Sequence, residues 1–452
     1  MALDTEMMHN SSPESLAAKY LQSYYGNSPI EYPINPFKML VDEGILFSLM
    51  DFNKLEGVYI PASSDEDVPV VGINVNRPIT RQRYTAAHEL CHHLRDADKP
   101  FSCITNSRSN VERYAEDFAA ALLMPFDELN KQVNKRRDQD GFITLDDVLM
   151  IAAYFGVSFQ ACLFRIAFNT TAIPGDNDIR SLKKIANKYK PENKRKQYHI
   201  SNAKLYAGLI DCCSEQFSFT PTEKAKLLFQ NEYIYNDSRM EGLDVTQEQA
   251  SEIVTDIRLN QRNSIYCTED NEVFLSIAGH YYMYQEVFSP KTDLPLNIYQ
   301  LFYFNKLLFS QYPHPEAGGT TRQTDTIVLG AGFKSIDYCD IYPELNKLNN
   351  EFNKYFNKKE EMKLSEYLEH VVKTHHRITV IHPFSDGNGR TSRVFMNAEL
   401  IKAGITPFYI SVEDKDEYLS ALARADECGD YNDLCELIYR LILKYYVKLN
   451  KE

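Results

Sequence analysis

The stretch His-Pro-Phe-Ser-Asp-Gly-Asn-Gly-Arg-Thr-Ser-Arg at 382–393 constrains the architecture more than any other part of the chain. The residue before a proline avoids the α region, so Pro383 predicts a helix ending near Ile381. The run TSRVFMNAELIKA predicts the next helix, closed by Gly404 at its C-terminal end. The intervening loop therefore delivers Gly387, Asn388 and Gly389 into a helix N-terminus. Backbone N–H groups point outward there, and the helix dipole favours anions. Glycines let phosphate oxygens approach the backbone closely. Arg390 and Arg393 add forked cations for further phosphates. Asp386 is an acid among these cations, which makes sense if it holds Mg2+ bridging the phosphates. His382, at the loop's entrance, suits a general base for a hydroxyl nucleophile. The residues point to a nucleotide site with a base beside it. The plainer alternative is a glycine-rich turn capped by arginines.

A second constellation lies far upstream. Residues 88–92 read His-Glu-Leu-Cys-His within RQRYTAAHELCHHLR, which predicts a helix over 81–95. Positions i and i+4 share a helix face, so His88 and His92 can reach one ion, and neutral imidazole suits zinc. Glu89 is rotated by about 100° from His88. It can sit beside a zinc-bound water without binding the metal, and move that water's proton. A catalytic zinc wants a third protein ligand and one open position. The helix starting near Asn110 and stopping at Leu123, before Met124-Pro125, offers Glu112 as that ligand. Glu116, one turn on, is the candidate outer partner for a zinc histidine. Cys91 and His93 read as packing residues. A chance match on a histidine-rich surface helix is the alternative.

The chain has 452 residues, enough for two or three domains. Segments 57–62 and 68–75 read as strands. Residues 14–25 carry helical spacing, and 143–168 read as two helices joined at Gly156. Loop-like TTAIPGDND at 170–178 precedes 179–197, where eight basic residues face one acid, Glu192. That run reads as a solvated helix or linker rather than a nucleic-acid patch, and the domain boundary is placed there. Beyond 200 the pattern is helical, rich in Tyr, Phe and Leu, with a candidate β-hairpin at 318–333. The net charge of −14 argues against a general nucleic-acid coat. No apolar run reaches the ~20 residues that span a bilayer. The N-terminus lacks a secretory pattern, and nine scattered cysteines fit a reducing compartment. A cytoplasmic protein without membrane or nucleic-acid partners is expected.

Two family resemblances complete the reading. RYTAAHELCHHL followed by ERYAEDFAAALLMP resembles the ImmA/IrrE-type zinc metallopeptidases, over roughly 30–168. The resemblance implies His88, His92 and Glu112 as zinc ligands, Glu89 as catalytic acid/base, and a protein substrate for cleavage. Glu116 departs from it, standing where the family more often has Asn. The string at 382–393 resembles the Fic motif, over roughly 205–450. It implies AMP transfer from ATP to a Ser, Thr or Tyr hydroxyl of a protein. His382 falls on the base, Phe384 on the loop anchor and Asp386 on the Mg2+ ligand. Gly387, Asn388, Gly389, Arg390 and Arg393 fall on the phosphate cradle. Segment 319–331 resembles the target-docking flap of that family. NDSRMEG at 236–242 resembles its inhibitory helix, with Glu241 set to pair with Arg393. Asp237 stands where Ser or Thr is usual, and a plain helix cap at Gly242 is the alternative. The expected architecture is an α+β zincin-like domain at 14–170, a basic linker at 171–200, and a mainly α Fic domain with a small hairpin flap at 201–452. An N-terminal module that binds zinc and only gates the Fic domain is the competing reading. A Fic domain that removes AMP is a further one.

Overall fold

Short apolar runs build a four-stranded sheet in the first half of the chain, and helices take most of the rest. The computed structural model describes residues 11–64, 66–96, 101–104, 109–175, 178–259, 271–288, 295–326 and 335–450. The chain divides into two units, Met1–Gln216 and Phe217–Glu452.

In the first unit, β1 (Leu46–Met50), β2 (Leu55–Ile60), β3 (Val70–Asn74) and β4 (Phe101–Ile104) lie in the order β1-β3-β2-β4. β1 runs parallel to β3, while β2 is antiparallel to both β3 and β4. Phe47, Leu49, Tyr59, Val71 and Ile73 are buried. Helices α1 (Pro13–Tyr25) and α2 (Pro36–Asp42) each place a proline in the first turn, where a missing N–H is harmless. Helix α3 (Ile79–Arg95) lies on β2 and β3. Gly57 makes this approach possible: a Cβ there would come within 2.5 Å of Thr85 Cγ2 and 2.7 Å of Glu89 Oε1. Helix α4 (Asn110–Leu123) packs on α1 and α3. Helices α5 (Phe126–Asn134), α6 (Leu145–Phe155) and α7 (Phe159–Asn169) follow, and Gly156 ends α6 in the left-handed region at φ 64°. Arg83, on α3, donates to the carbonyls of Gly156, Phe155 and Ile34, which ties that helix to the end of α6.

The division after Gln216 falls later than the 171–200 linker expected from composition. Helices α8 (Ile179–Tyr189) and α9 (Pro191–Gln197) belong to the first unit. Leu182 and Ala186, four apart, are buried, and Tyr189 stacks on Phe159 at 4.7 Å. The basic residues face outward from a docked helix. Helix α10 (Ala203–Gln216), expected in the second domain, also belongs to the first unit. Its Gln216 side chain bonds both Phe47 N (2.9 Å) and Ile45 O (2.8 Å) beside β1. Charge composition marked a surface there, not a domain edge.

The second unit consists of helices α11 (Glu223–Met240), α12 (Gln247–Arg258), α13 (Glu272–Phe288), α14 (Gln300–Leu308), α15 (Ile341–Phe356), α16 (Leu364–Ile381), α17 (Asn388–Lys402), α18 (Lys415–Cys428) and α19 (Asn432–Leu449). α17 runs through the middle against α13, α14 and α16, and every residue from Arg390 to Leu400 is buried. The predicted helix pair around 382–393 is therefore present, as α16 and α17. Most of the expected hairpin, 327–333, lies outside the described residues. Its approach is described: Thr321 forms an antiparallel bridge with Phe384.

Candidate functional site

The first unit holds a cluster built by α3 and α4. His88 and His92, one turn apart, point the same way, with their Nε2 atoms 3.1 Å apart. Ser109 caps α4 by accepting from Glu112 N at 3.2 Å, which fixes Glu112 in the first turn. Its carboxylate lies 3.2 Å from His88 Nε2 and 3.6 Å from His92 Nε2. One ligand atom from each of the three falls within 4.8 Å of the others, and all three residues are buried. Such a set fits a zinc ion: two borderline-soft nitrogens and one carboxylate converge on one point. Burial and the neighbouring His88 push the His92 pKa down to about 4, which keeps its ring neutral and ready to ligate.

Glu89 is fully buried between α3 and the sheet. Neither of its carboxylate oxygens has a hydrogen-bond partner among the described residues. Burial, with the charge of Glu112, raises its pKa well above the ordinary range. An orphaned buried acid beside three converging candidate ligands is a candidate proton-transfer group. Glu116 is exposed. The acid near the other nitrogen of His92 is Asp96, whose Oδ2 lies 3.9 Å from Nδ1. The i,i+4 spacing from His92 to Asp96 was the available signal. His93 and Cys91 pack as expected, His93 Nδ1 lying 3.2 Å from Tyr59 OH.

The second unit holds the loop between α16 and α17. His382 ends α16 in the left-handed region, at φ 48°. Arg322 holds it there: its Nε donates to His382 O at 2.8 Å, while its own N–H donates to Pro383 O. Burial first, then the charge of Arg322, lowers the His382 pKa. Phe384 is buried against Phe302. The Asn388 side chain closes the loop, accepting from Phe384 N (2.9 Å) and donating to Phe384 O (2.7 Å). Its contribution to a phosphate cradle thus falls to its backbone. Gly387 caps α17 at φ 78°, and a Cβ there would meet Leu308 at 2.8 Å. Asn305 on α14 donates to Asp386 O and Thr391 Oγ1 and accepts from Gly319 N, so one buried amide joins the loop, α17 and the approach to the hairpin. Asp386 is exposed and lies 3.3 Å from Arg390 Nη2. That acid, at the mouth of a helix N-terminus, fits a Mg2+ site completed by a nucleotide.

Arg393 points from α17 towards α11. Its Nε donates to Asp237 at 2.5 Å and its Nη2 to Glu241 at 2.5 Å. Gly389 lies beneath the pair: a Cβ there would meet Arg393 Nη1 at 3.0 Å and Glu241 Oε1 at 3.2 Å. Gly242, just beyond α11, lies in the left-handed region at φ 87°, as a helix cap does. Residues that single-chain reasoning missed are Asn305, Arg322 and His280, the last with Nε2 3.1 Å from Asp237 Oδ2. They come from distant segments, two helices and the irregular stretch after Thr321, and carry no local pattern.

Comparison with known proteins follows the same division. Residues 42–167 match a peptidase-family model described as the IrrE N-terminal-like domain. Residues 295–400 match the Fic/DOC family. A protein adenylyltransferase Fic of Nematostella vectensis is 33% identical over 130 residues, 28% of this chain and 28% of its own length. One of Aedes aegypti is 37% identical over 95 residues, 21% of this chain and 19% of its own. The chain thus spans less than a third of these relatives. Among solved structures, Fic-1 (residues 134–508) of C. elegans is similar at TM-score 0.46 and 16% identity, covering 68% of this chain and 86% of that one. A Fic domain-containing signalling protein of Bacteroides thetaiotaomicron is similar at 0.40 and 20% identity, covering 50% and 87%. The match to the IrrE N-terminal-like family thus falls in the first unit, and the match to the Fic/DOC family in the second.

Proposed function

We propose that the second unit transfers AMP from ATP to a hydroxyl of a protein, and that Glu241 holds this activity in check. The observation that carries the reading is the loop itself: a half-buried histidine of lowered pKa stands at the entrance to a glycine-capped helix start bearing Asp386, Arg390 and Arg393. The target's hydroxyl oxygen attacks the α-phosphorus while its proton passes to the His382 imidazole. The bond from the α-phosphorus to the bridging oxygen breaks, and pyrophosphate leaves. Backbone N–H groups at the start of α17 and the two arginines hold phosphate charge. Mg2+ at Asp386 supplies charge neutralisation when bound with ATP. Glu241 takes an N–H of Arg393 that a terminal phosphate needs.

The test is labelling by ATP carrying label at the α-phosphate, in a cell lysate, with wild type and Glu241→Gly. Stronger labelling of protein by the variant is expected. Equal labelling by two folded proteins removes the inhibitory role, and no labelling by either removes the transferase reading.

A second activity is supported by the orphaned Glu89. We infer zinc-dependent cleavage of a protein substrate by the first unit. Zinc held by His88, His92 and Glu112 would supply a Lewis acid and lower the pKa of a bound water. Glu89 would take that proton and pass it to the leaving amine, a role that suits a buried acid of raised pKa. Both sites would act where ATP and reduced thiols are present, which favours a cytoplasmic setting.

A further inference from the structure

The two acids that grip Arg393 differ in kind. Asp237 lies inside α11, and its side chain is 2% exposed; Glu241 follows the last turn, and its side chain is 37% exposed. Asp237 is enclosed by three elements. Its Oδ1 accepts from Arg393 Nε on α17 and lies 3.4 Å from Tyr233 OH on its own helix. Its Oδ2 faces His280 Nε2 on α13, and the other ring nitrogen of His280 faces Ser276 O at 2.9 Å. Arg393 is itself only 6% exposed. A desolvated guanidinium needs a fixed acceptor to hold one orientation, and losing a buried partner is costly. Glu241 cannot be that acceptor if it must yield to phosphate.

We propose that Asp237 is the positioning residue for nucleotide binding: it keeps Arg393 in place by its Nε when Glu241 lets go, leaving the outer guanidinium nitrogens for the terminal phosphate. The proposal rests on the nucleotide reading of the 382–393 loop. It also locates the release. With Asp237 locked to α13 and α17, α11 stays docked, and only Glu241 and the turn beyond Met240 move. An aspartate where the family pattern has a hydroxyl thus gives Arg393 a permanent charged anchor beside a removable one.

The experiment uses the full chain carrying Glu241→Gly, with Mg-ATP and Mg-ADP affinities read by calorimetry. Adding Asp237→Asn, which keeps the shape and removes the charge, is expected to weaken ATP binding by about tenfold or more, as a misaligned positioning group does. ADP, lacking the terminal phosphate, is expected to bind unchanged, so the preference for ATP collapses. An equal loss for ATP and ADP marks a merely structural role and overturns the proposal, as does an unaltered ATP affinity. If Asp237→Asn does not fold, His280→Gln, which disturbs the other oxygen of Asp237, is measured in the same way, with the same collapse expected and the same overturning results. The readout does not depend on transfer: a Glu241→Gly protein that binds nucleotide but labels nothing fails the transferase reading alone. One that binds neither nucleotide overturns the nucleotide reading and this proposal together.

Discussion

His382 combines a constrained backbone with a tuned side chain. Residues outside glycine rarely sit at positive φ, and Arg322 supplies the bond that holds this one. Its pKa lies below 6.5, driven by burial and then by Arg322. The neutral ring, the form that accepts a proton, therefore persists down to below that value. Transfer by Glu241→Gly should be level above about pH 7 and fall only on the acid side of the ordinary histidine range. His382→Ala should lower transfer by ~10²–10⁴ and leave Mg-ATP affinity intact. Label transfer and calorimetry on one preparation check both halves, and wild-type transfer in the variant rejects the assignment. Glu89 makes the matching case in the first unit. It touches no ligand atom by hydrogen bond, so Glu89→Gln should keep about one zinc per chain and lose any cleavage. Elemental analysis with a peptidase assay reads the two separately. These candidates were legible because they stand at short spacings: four between His88 and His92, eleven from His382 to Arg393. Asp96 was equally close in sequence, but its role depended on which histidine nitrogen faced outward.

At the scale of elements, α17 shows where local pattern fails. It carries Arg393, Asn397 and Glu399 inside the unit, so no apolar stripe announces its burial. Its ends were readable from Pro383 and Gly404; its depth was not. Glu399 is fully buried and accepts from Tyr355 OH at 2.7 Å and Tyr367 OH at 3.3 Å. Burial raises its pKa to about 8 although the two tyrosines pull it down. The folded state therefore holds a proton that the unfolded chain releases near pH 4.3. Stability from this group is full below that pH and is lost as pH climbs through about 8. Glu399→Gln mimics the protonated side chain and should remove that loss. At pH 8 its second unit should melt above wild type, by about 2–4 °C per kcal/mol recovered. At pH 4 the two should nearly coincide, and a constant offset between them at both pH values rejects the account. The sheet teaches a related lesson. β1 alternates between exposed and buried positions but runs for only five residues, whereas β3, paired on both sides by β1 and β2, is buried almost throughout and shows no alternation.

On the scale of the whole molecule, the division at Gln216 separates the two candidate sites. All three candidate zinc ligands and Glu89 lie before it, and the full phosphate loop with Asp237, Glu241 and His280 lies after it. The sequence-based boundary fell earlier because basic composition was read as a linker, while the apolar spacing of Leu182 and Ala186 dictated docking. Ligands that bind only a folded unit stabilise it by mass action, so each ion should report on its own unit. Zinc held by His88, His92 and Glu112 would join α3 to α4, and its removal would leave those buried groups facing one another without a cation. Calorimetric melting should accordingly show two transitions. His88→Ala/His92→Ala should lose zinc and lower one of them, because binding free energy at a metal site is folding free energy for the unit that forms it. Mg-ATP should raise the other, most clearly with Glu241→Gly, where Arg393 has a donor to give. A single transition that moves with both ligands would mean that the two units unfold as one, and would make the zinc site a direct contributor to the nucleotide site's stability.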